Sequence, residues 1–217
     1  MKIEKTTILI FVAVTFIFGL LTNANANLIV NGSFEVGPDP GASAPLPNGS
    51  TAIAGWTVTR EGVDYKGTYW KASDLNRSLD LDNSPGFGGI KQTFPTTSGV
   101  LYSVTFDIAG NPYREFGDPV MKYMGVEAAG QSAVFSFDAT GHDYLNMGWE
   151  TRSWQFTAAI GISTTIEFYT LDSYAAGYSG YCGPVLDNVS VVEIPEPATM
   201  ALLGLGALSL IRRKRSA

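Results

Sequence analysis

The sequence predicts an all-β protein, an antiparallel β-sandwich of the jelly-roll type. Apolar and polar residues alternate with a period of two along much of residues 27–194. Glycine and proline interrupt this alternation at roughly the 8–12-residue spacing that is typical of sandwiches. The same region shows no convincing 3.6-residue hydrophobic period. We therefore expect roughly eight to ten strands in two packed sheets.

The strands are predicted in order from the apolar runs. A short strand at 28–30 ends at a turn signal, a long surface loop covers 38–50, and the next strand covers 53–58. Residues 60–76 are predicted to form an aromatic loop or short strand. The later strands are expected around the alternating residues of 79–82, 90–94, 102–108, 121–128, 133–138, 149–158, 166–170 and 189–191. Trp56 and Trp154 lie on predicted strands and are assigned to the core.

The N-terminus has the three parts of a secretory signal peptide. Lys2 and Lys5 precede an apolar run at 8–21, and Ala24-Asn25-Ala26 supplies small residues for cleavage. We predict a signal peptide at 1–26 and a single domain at 27–194. An uncleaved N-terminal anchor is the alternative.

The C-terminus, residues 195–217, contains a second targeting segment. Two prolines flank Glu196 in Pro195-Glu196-Pro197, and they keep the chain extended. The 14 uncharged residues 198–211 follow, whereas a spanning helix needs about 20. The basic tip Arg212-Arg213-Lys214-Arg215 would remain cytoplasmic.

These three parts, in this order, resemble the PEP-CTERM sorting signal of Gram-negative, biofilm-forming bacteria. The resemblance implies transient insertion in the inner membrane, recognition by an exosortase and removal of the tail. It also implies release or attachment at the cell surface. A plain C-terminal membrane anchor is the alternative.

Net charge limits the classes of ligand that residues 27–194 can bind, and cysteine content limits the covalent links that can stabilise them. Residues 27–194 contain eight basic and 18 acidic residues, a net charge of −10, which repels nucleic acid and anionic lipid. A divalent cation or a neutral polysaccharide remains compatible. Cys182 is the only cysteine, so an intrachain disulfide is impossible, and the core or a metal must stabilise the domain.

The body of the chain carries a second resemblance, based on six segments in order. They are LIVNGSFE at 28–35, GW at 55–56, SLDLD at 78–82, GIKQTF at 89–94, YSVTFDIAGN at 102–111 and GPVLDNVSV at 183–191. Together they resemble the choice-of-anchor C domain, which is similar to plant cell-wall proteins and to galactose-binding-like carbohydrate modules. The resemblance implies a galactose-binding-like jelly roll outside the cell and no known activity.

The same resemblance implies a candidate metal pair. In the related carbohydrate modules, acidic residues equivalent to Glu35 and Asp187 help to hold a structural calcium ion. Calcium prefers six to eight oxygen ligands. A hydrogen-bonded pair that closes the strand ends is the alternative. Asp80 and Asp82 are weaker candidates, because on a strand both can face solvent.

Loop aromatics are the candidate carbohydrate contacts, because sugar rings pack an apolar face on aromatic rings. Three groups qualify, although the same rings could instead fill the core. The groups are Tyr65, Tyr69 and Trp70; Tyr174, Tyr178 and Tyr181; and Tyr144 with Trp149.

Catalysis has little support in the sequence. His142 is the only histidine and is predicted to be a solvated loop residue, and no nucleophile elbow surrounds Ser179. Cys182 is predicted to be a buried residue near a turn.

The sequence therefore predicts a non-enzymatic, exosortase-sorted surface or extracellular-matrix protein. We expect it to bind or assemble with polysaccharide, with calcium as a structural ion. The alternatives are a structural coat protein without a glycan pocket and an extracellular glycan-active enzyme.

Overall fold

The computed structural model describes residues 26–113 and 117–195. The predicted signal peptide, apart from its last residue, and the predicted sorting signal after Pro195 lie outside these ranges. Within them the chain forms eleven strands, one short 3₁₀ helix at Tyr174–Ala176 and no α-helix. The all-β prediction is therefore confirmed.

The strands vary in length from three to ten residues. Their bounds, in chain order, are β1 (Ser43–Leu46), β2 (Thr57–Arg60), β3 (Val63–Lys66), β4 (Ser78–Asp80), β5 (Gly88–Pro95), β6 (Leu101–Gly110), β7 (Met121–Ala128), β8 (Gln131–Asp138), β9 (Glu150–Thr157), β10 (Ser163–Thr170) and β11 (Pro184–Glu193).

Two antiparallel sheets form the sandwich. The six-stranded sheet has the order β1-β3-β4-β11-β6-β9, and the five-stranded sheet has the order β2-β5-β10-β7-β8. The last strand, β11, lies in the middle of its sheet between β4 and β6. The six-stranded sheet is therefore complete only when the last strand is in place.

The core lies between the sheets and follows the period-two pattern. Tyr102, Val104 and Phe106 on β6 are buried. The ring of Phe106 lies 5.1 Å from the rings of Phe135 on β8 and Phe168 on β10, between centroids. Burying one large apolar side chain stabilises a fold by roughly 1.5–3 kcal/mol, so these contacts hold the two sheets together.

Three details of the strand prediction are wrong. Residues 28–30 form no strand, although the Leu28 amide donates to the Val191 carbonyl at 2.8 Å. The predicted loop at 38–50 contains β1, which pairs with β3. The strand predicted at 53–58 begins only at Thr57.

Close approach of two backbones explains the irregular N-terminal segment. A Cβ atom added to Gly32 would lie 1.9 Å from the Val189 carbonyl oxygen. The Val189 amide in turn donates to the Gly32 carbonyl at 2.9 Å. The segment therefore packs beside β11 at a distance that only glycine permits.

The parts of the chain that the structure describes include no helix long and apolar enough to cross a membrane.

Candidate functional site

Loop 67–77 covers the outer face of the six-stranded sheet. Its Ser73 backbone amide donates to Asp187 at 2.9 Å, and its hydroxyl donates to Asp107 at 2.5 Å. Both aspartates point outward, because their strand neighbours Phe106 and Leu186 are buried in the core. The sheet therefore positions this loop through two carboxylates.

A second loop, 139–149, is fixed to the backbone of Lys71 in the first loop. The Lys71 amide donates to the Tyr144 carbonyl at 3.0 Å, and the Trp149 indole N–H donates to the Lys71 carbonyl at 3.0 Å. These two hydrogen bonds hold the aromatic residues of the two loops in one place.

We call Tyr69, Tyr144 and Trp149 the aromatic patch. The rings of Tyr69 and Tyr144 meet edge to face with centroids 5.3 Å apart, and Tyr69 is 36% exposed. The patch joins members of two aromatic groups that are separate in the sequence.

A groove of about 420 Å³ adjoins the patch. Its lining includes Lys71, Ser73, Asn146 and Trp149, so hydrogen-bonding groups stand beside an aromatic side chain. A polar groove with an aromatic wall suits a ligand that has both apolar faces and hydroxyl groups.

Two residues of the first predicted aromatic group are interior. Tyr65 is 0% exposed, and its hydroxyl donates to the Phe34 carbonyl at 2.5 Å and accepts from Arg77 at 2.7 Å. Trp70 is 5% exposed, and its indole N–H donates to the Ser78 hydroxyl at 2.8 Å. These positions correct the assignment of both residues as surface contacts and leave Tyr69 as the accessible ring.

The second predicted group does not form an open platform. Tyr178 is buried, and its hydroxyl donates to the Met121 carbonyl. Burial also raises the pKa of that phenol well above its usual range. Tyr181 is half-buried, and the side chain of Tyr174 lies outside the described part of the structure.

Glu35 and Asp187, the predicted calcium pair, bind the same loop. Glu35 Oε1 accepts from the backbone amides of Asn76 and Arg77 at 2.8 and 2.7 Å. Asp187 Oδ2 accepts from the amides of Ser73 and Asp74, both at 2.9 Å. The carboxylates thus fasten the two ends of the segment 73–77 by hydrogen bonds.

The recorded hydrogen bonds of both carboxylates run to the loop backbone, and the calcium role of the pair stays a prediction. Within 26–113 and 117–195, no three histidine, cysteine or acidic side chains are placed to share a metal ion. Burial raises the pKa of Asp187 to about 8, although three backbone amides oppose the shift. Asp187 is therefore a carboxyl group for which the fold supplies hydrogen-bond donors.

No site was predicted on the outer face of the five-stranded sheet. A groove of about 540 Å³ lies there, and its lining includes Lys91, Glu127, Thr165 and Glu167. The sequence pattern of β10 indicates this polar outer face, because Thr165 and Glu167 alternate with the buried Ile166 and Phe168.

The aromatic ring on this second face is already in contact on both sides. A Cβ atom added to Gly125 would lie 2.4 Å from the Tyr169 ring, so the ring rests on that glycine. The Arg60 guanidinium lies 3.8 Å from the ring centroid and pairs with Glu167 at 3.0 Å. Tyr69 also has a cation near its ring, with the Lys66 ammonium 4.9 Å from the centroid, but it remains 36% exposed.

The two residues with potential for catalysis have structural surroundings. His142 is half-buried rather than solvated, with its ring 5.4 Å from that of Phe137 between centroids. Cys182 is buried, as predicted, and burial raises the pKa of its thiol well above the usual range. A protonated, enclosed thiol is a poor nucleophile.

Comparison with known families identifies both parts of the chain. Residues 27–192 match the family described as "Protein of unknown function (DUF642)". Residues 193–215 match the PEP-CTERM protein-sorting motif, which implies export, sorting by an exosortase and a surface or extracellular location.

Two curated relatives cover much of this chain. Halomucin from Haloquadratum walsbyi (strain DSM 16790 / HBSQ001) is 32% identical over 200 residues, which are 89% of this chain and 2% of halomucin. The Arabidopsis thaliana "Protein DUF642 L-GALACTONO-1,4-LACTONE-RESPONSIVE GENE 1" is 24% identical over 78% of this chain and 44% of its own length. The chain thus spans less than half of either relative.

Two solved structures are similar to this chain at low sequence identity. An arabinose-bound α-L-arabinofuranosidase has a TM-score of 0.51 and 16% identity, over 78% of this chain and 26% of the enzyme chain. A carbohydrate-binding module in complex with β-1,4-galactotriose has a TM-score of 0.46 and 14% identity, over 78% of this chain and 99% of the module. On the match to residues 27–192, this chain belongs to the DUF642 family and carries a PEP-CTERM sorting motif behind that domain.

Proposed function

We propose that this protein is an exported, non-catalytic surface or matrix protein that binds extracellular polysaccharide through the aromatic patch. An exosortase removes its C-terminal tail after recognition of Pro195-Glu196-Pro197. The sorting motif at 193–215 supports the processing step, and the aromatic patch supports the binding step.

The observation that carries the binding proposal is the position of Tyr69. Its ring is exposed, meets Tyr144 at 5.3 Å and stands near a groove lined by Lys71, Ser73 and Asn146. Aromatic rings supply apolar contact area at little cost in conformational entropy, whereas amide, hydroxyl and ammonium groups bond sugar hydroxyls. The acidic body favours a neutral glycan over a strongly anionic one.

Two finer points belong to the same proposal. The domain is of the choice-of-anchor C kind, with a galactose-binding-like jelly roll. A calcium ion at Glu35 and Asp187 would stabilise loop 67–77, and it would have to share oxygen atoms that already accept backbone N–H groups.

The test is binding of the purified chain to a polysaccharide array, followed by Tyr69→Ala and Tyr123→Ala variants. Tyr123 is a matched control, because it is 39% exposed and lies on the five-stranded sheet, outside the aromatic patch. We expect Tyr69→Ala to weaken binding about tenfold or more, equivalent to about 1.4 kcal/mol. Tyr123→Ala should leave it unchanged.

Other outcomes would redirect the proposal. Loss of binding in Tyr123→Ala alone would move the glycan site to the five-stranded sheet. If the chain bound no polysaccharide on the array and self-associated as its concentration rose, a structural coat protein would be favoured. Turnover of a glycan by the purified chain would contradict the non-catalytic role.

A further inference from the structure

A group of buried ionisable residues lies at one end of the sandwich, where β4, β6 and β10 finish and β7 and β11 begin. Asp82 is 0% exposed, Asp172 is 4% exposed and Lys122 is 2% exposed. From the sequence, Asp82 is among the weaker calcium candidates because on a strand it can face solvent, but the structure encloses it. The group is separate from the aromatic patch and from Glu35 and Asp187.

Two neighbouring carboxylates have their acceptors filled. Asp80 accepts from the amides of Asp82 and Gly183 at 3.1 Å and from the Asn111 side-chain amide at 2.7 Å. Asp118 accepts from the amide and the hydroxyl of Ser179. The fold has therefore provided donors for these two groups.

Asp82 and Asp172 differ from them. Among the described residues, neither oxygen of Asp82 accepts a hydrogen bond, and Oδ2 of Asp172 accepts none. The Thr170 hydroxyl lies near Asp82 without forming a well-shaped hydrogen bond. An unsatisfied buried carboxylate is costly, so native proteins pair nearly all such groups or bind an ion there.

Charge in this region is out of balance. Among the described residues, the carboxylates of Asp80, Asp82, Asp118 and Asp172 lie close enough to interact electrostatically with one another or with the Lys122 ammonium. The Lys66 ammonium acts on Asp80, so the described carboxylates still outnumber the ammonium groups. The Lys122 ammonium makes no hydrogen bond to a described residue and lies 4.9 Å from the centroid of the Tyr178 ring. A full set of ionised groups would leave excess negative charge in a buried space.

The pKa values of two of these carboxyl groups are raised by their buried surroundings. Burial raises the pKa of Asp82 well above its ordinary value, and the charges of Asp80 and Asp172 raise it further. Burial also raises the pKa of Asp172 to about 7. A bound cation would offset the free-energy cost of these buried negative charges, as protonation does.

Backbone approaches the carboxylates closely at this point. A Cβ atom added to Gly183 would lie 2.6 Å from the Asp82 carboxyl carbon and 2.7 Å from its Oδ1. The glycine therefore lets main-chain atoms approach the Asp82 carboxyl more closely than any side chain would permit.

We propose that Asp82 and Asp172 bind one oxygen-seeking divalent cation, of which calcium is the first probe. Two carboxylates supply part of the coordination shell, and main-chain oxygens and water complete the six to eight ligands that calcium takes. The Thr170 hydroxyl is a further ligand within reach. The cation links β4 of one sheet to β10 of the other and closes this end of the sandwich.

The test uses the purified chain in metal-free buffer and follows calcium binding by calorimetry and the melting temperature. We expect one ion per chain at this site and a rise of about 5 °C or more when calcium is 100-fold above its dissociation constant. Asp82→Asn should abolish both effects. In chelator, Asp82→Asn should melt no lower than the wild-type chain, because it removes an uncompensated buried charge.

Two further variants keep the proposal falsifiable. Asp172→Asn should weaken calcium binding at least about tenfold, the effect of losing one carboxylate ligand. Glu35→Gln, from the other predicted pair, should leave this response intact. The proposal is overturned if the response survives Asp82→Asn, if it is lost in Glu35→Gln, or if the wild-type chain binds no calcium, in which case protons and water balance the group.

Discussion

Two pairs of buried aspartates in this domain have opposite surroundings. Asp107 and Asp187 lie side by side on β6 and β11 and accept hydrogen bonds from hydroxyl, side-chain amide and backbone amide groups. Asp82 and Asp172 lie at the end of the sandwich with three oxygen atoms that accept none from a described residue.

The comparison separates the effect of burial on a carboxyl pKa from the effect of hydrogen-bond donors on the structural role of the carboxylate. Burial raises the pKa of Asp187 to about 8 and of Asp172 to about 7, so both sites disfavour the charged form. Asp187 is nevertheless useful to the fold because it organises loop 67–77 through N–H groups. No described residue donates a hydrogen bond to the Asp82 carboxylate, so that side chain anchors no loop.

The largest effect is expected from Asp187→Ala. The substitution leaves the amides of Ser73, Asp74 and Asn188 without their acceptor and detaches the loop that carries the aromatic patch. We expect a loss of about 3 kcal/mol or more in the free energy of unfolding, measured by urea denaturation. An unchanged midpoint would mean that the hydrogen bonds of Asp187 do not stabilise the fold, and the contrast with Asp82 would lose its basis.

The second-largest effect on the free energy of unfolding is expected from a change of pH. The folded-state pKa values are about 6 for Asp80, about 7 for Asp172 and about 8 for Asp187, all above the ordinary 3.8. Raised carboxyl pKa values favour folding at low pH, and this contribution is lost as pH rises through 6–8. Lys122, which lowers the pKa of Asp172, and Asp118, which raises it, face the same space.

The measurement is urea denaturation in chelator at pH 5 and pH 8.5. We expect the free energy of unfolding to fall by at least about 1.4 kcal/mol across this interval, the equivalent of a one-unit shift in one group. Asp172→Asn should reduce the fall. A domain that becomes more stable toward pH 8.5 would contradict the prediction, because the raised carboxyl pKa values would then not dominate the proton balance of folding.

The smallest effect is expected from Thr151→Val. The Thr151 hydroxyl donates to Asp107 Oδ1 at 2.6 Å, one of three donors to that carboxylate. Its removal should cost about 1 kcal/mol by urea denaturation. Thr151→Ser keeps the hydroxyl and is the matched control; an equal loss in both variants would assign the effect to packing instead.

The fold was predictable where alternation alone decides the structure. Tyr102, Val104 and Phe106 point to one face without interruption, and β6 follows from them. β1 could not be predicted, because Ser43-Ala44-Pro45-Leu46 has no apolar period and becomes a strand only by pairing with β3.

The candidate sites were predictable only in part. Tyr69 is exposed as expected, but its contact with Tyr144 depends on backbone hydrogen bonds between loops far apart in sequence. The burial of Asp82 was not predictable either. Alternation with Leu81 predicts the solvent side of a strand, whereas the chain around Gly183 packs against that side.

Strand β11 separates the point where the chain leaves the domain from the loop that carries part of the aromatic patch. Its ten residues span roughly 30 Å, and Ile194 at its end is held by the Leu101 carbonyl before Pro195 emerges exposed. Loop 139–149 enters β9 at Glu150, beside Ile108 and so near the opposite end of β11. A chain held at its tail would therefore carry its aromatic patch on the side away from the attachment, as a headpiece turned outward from the cell.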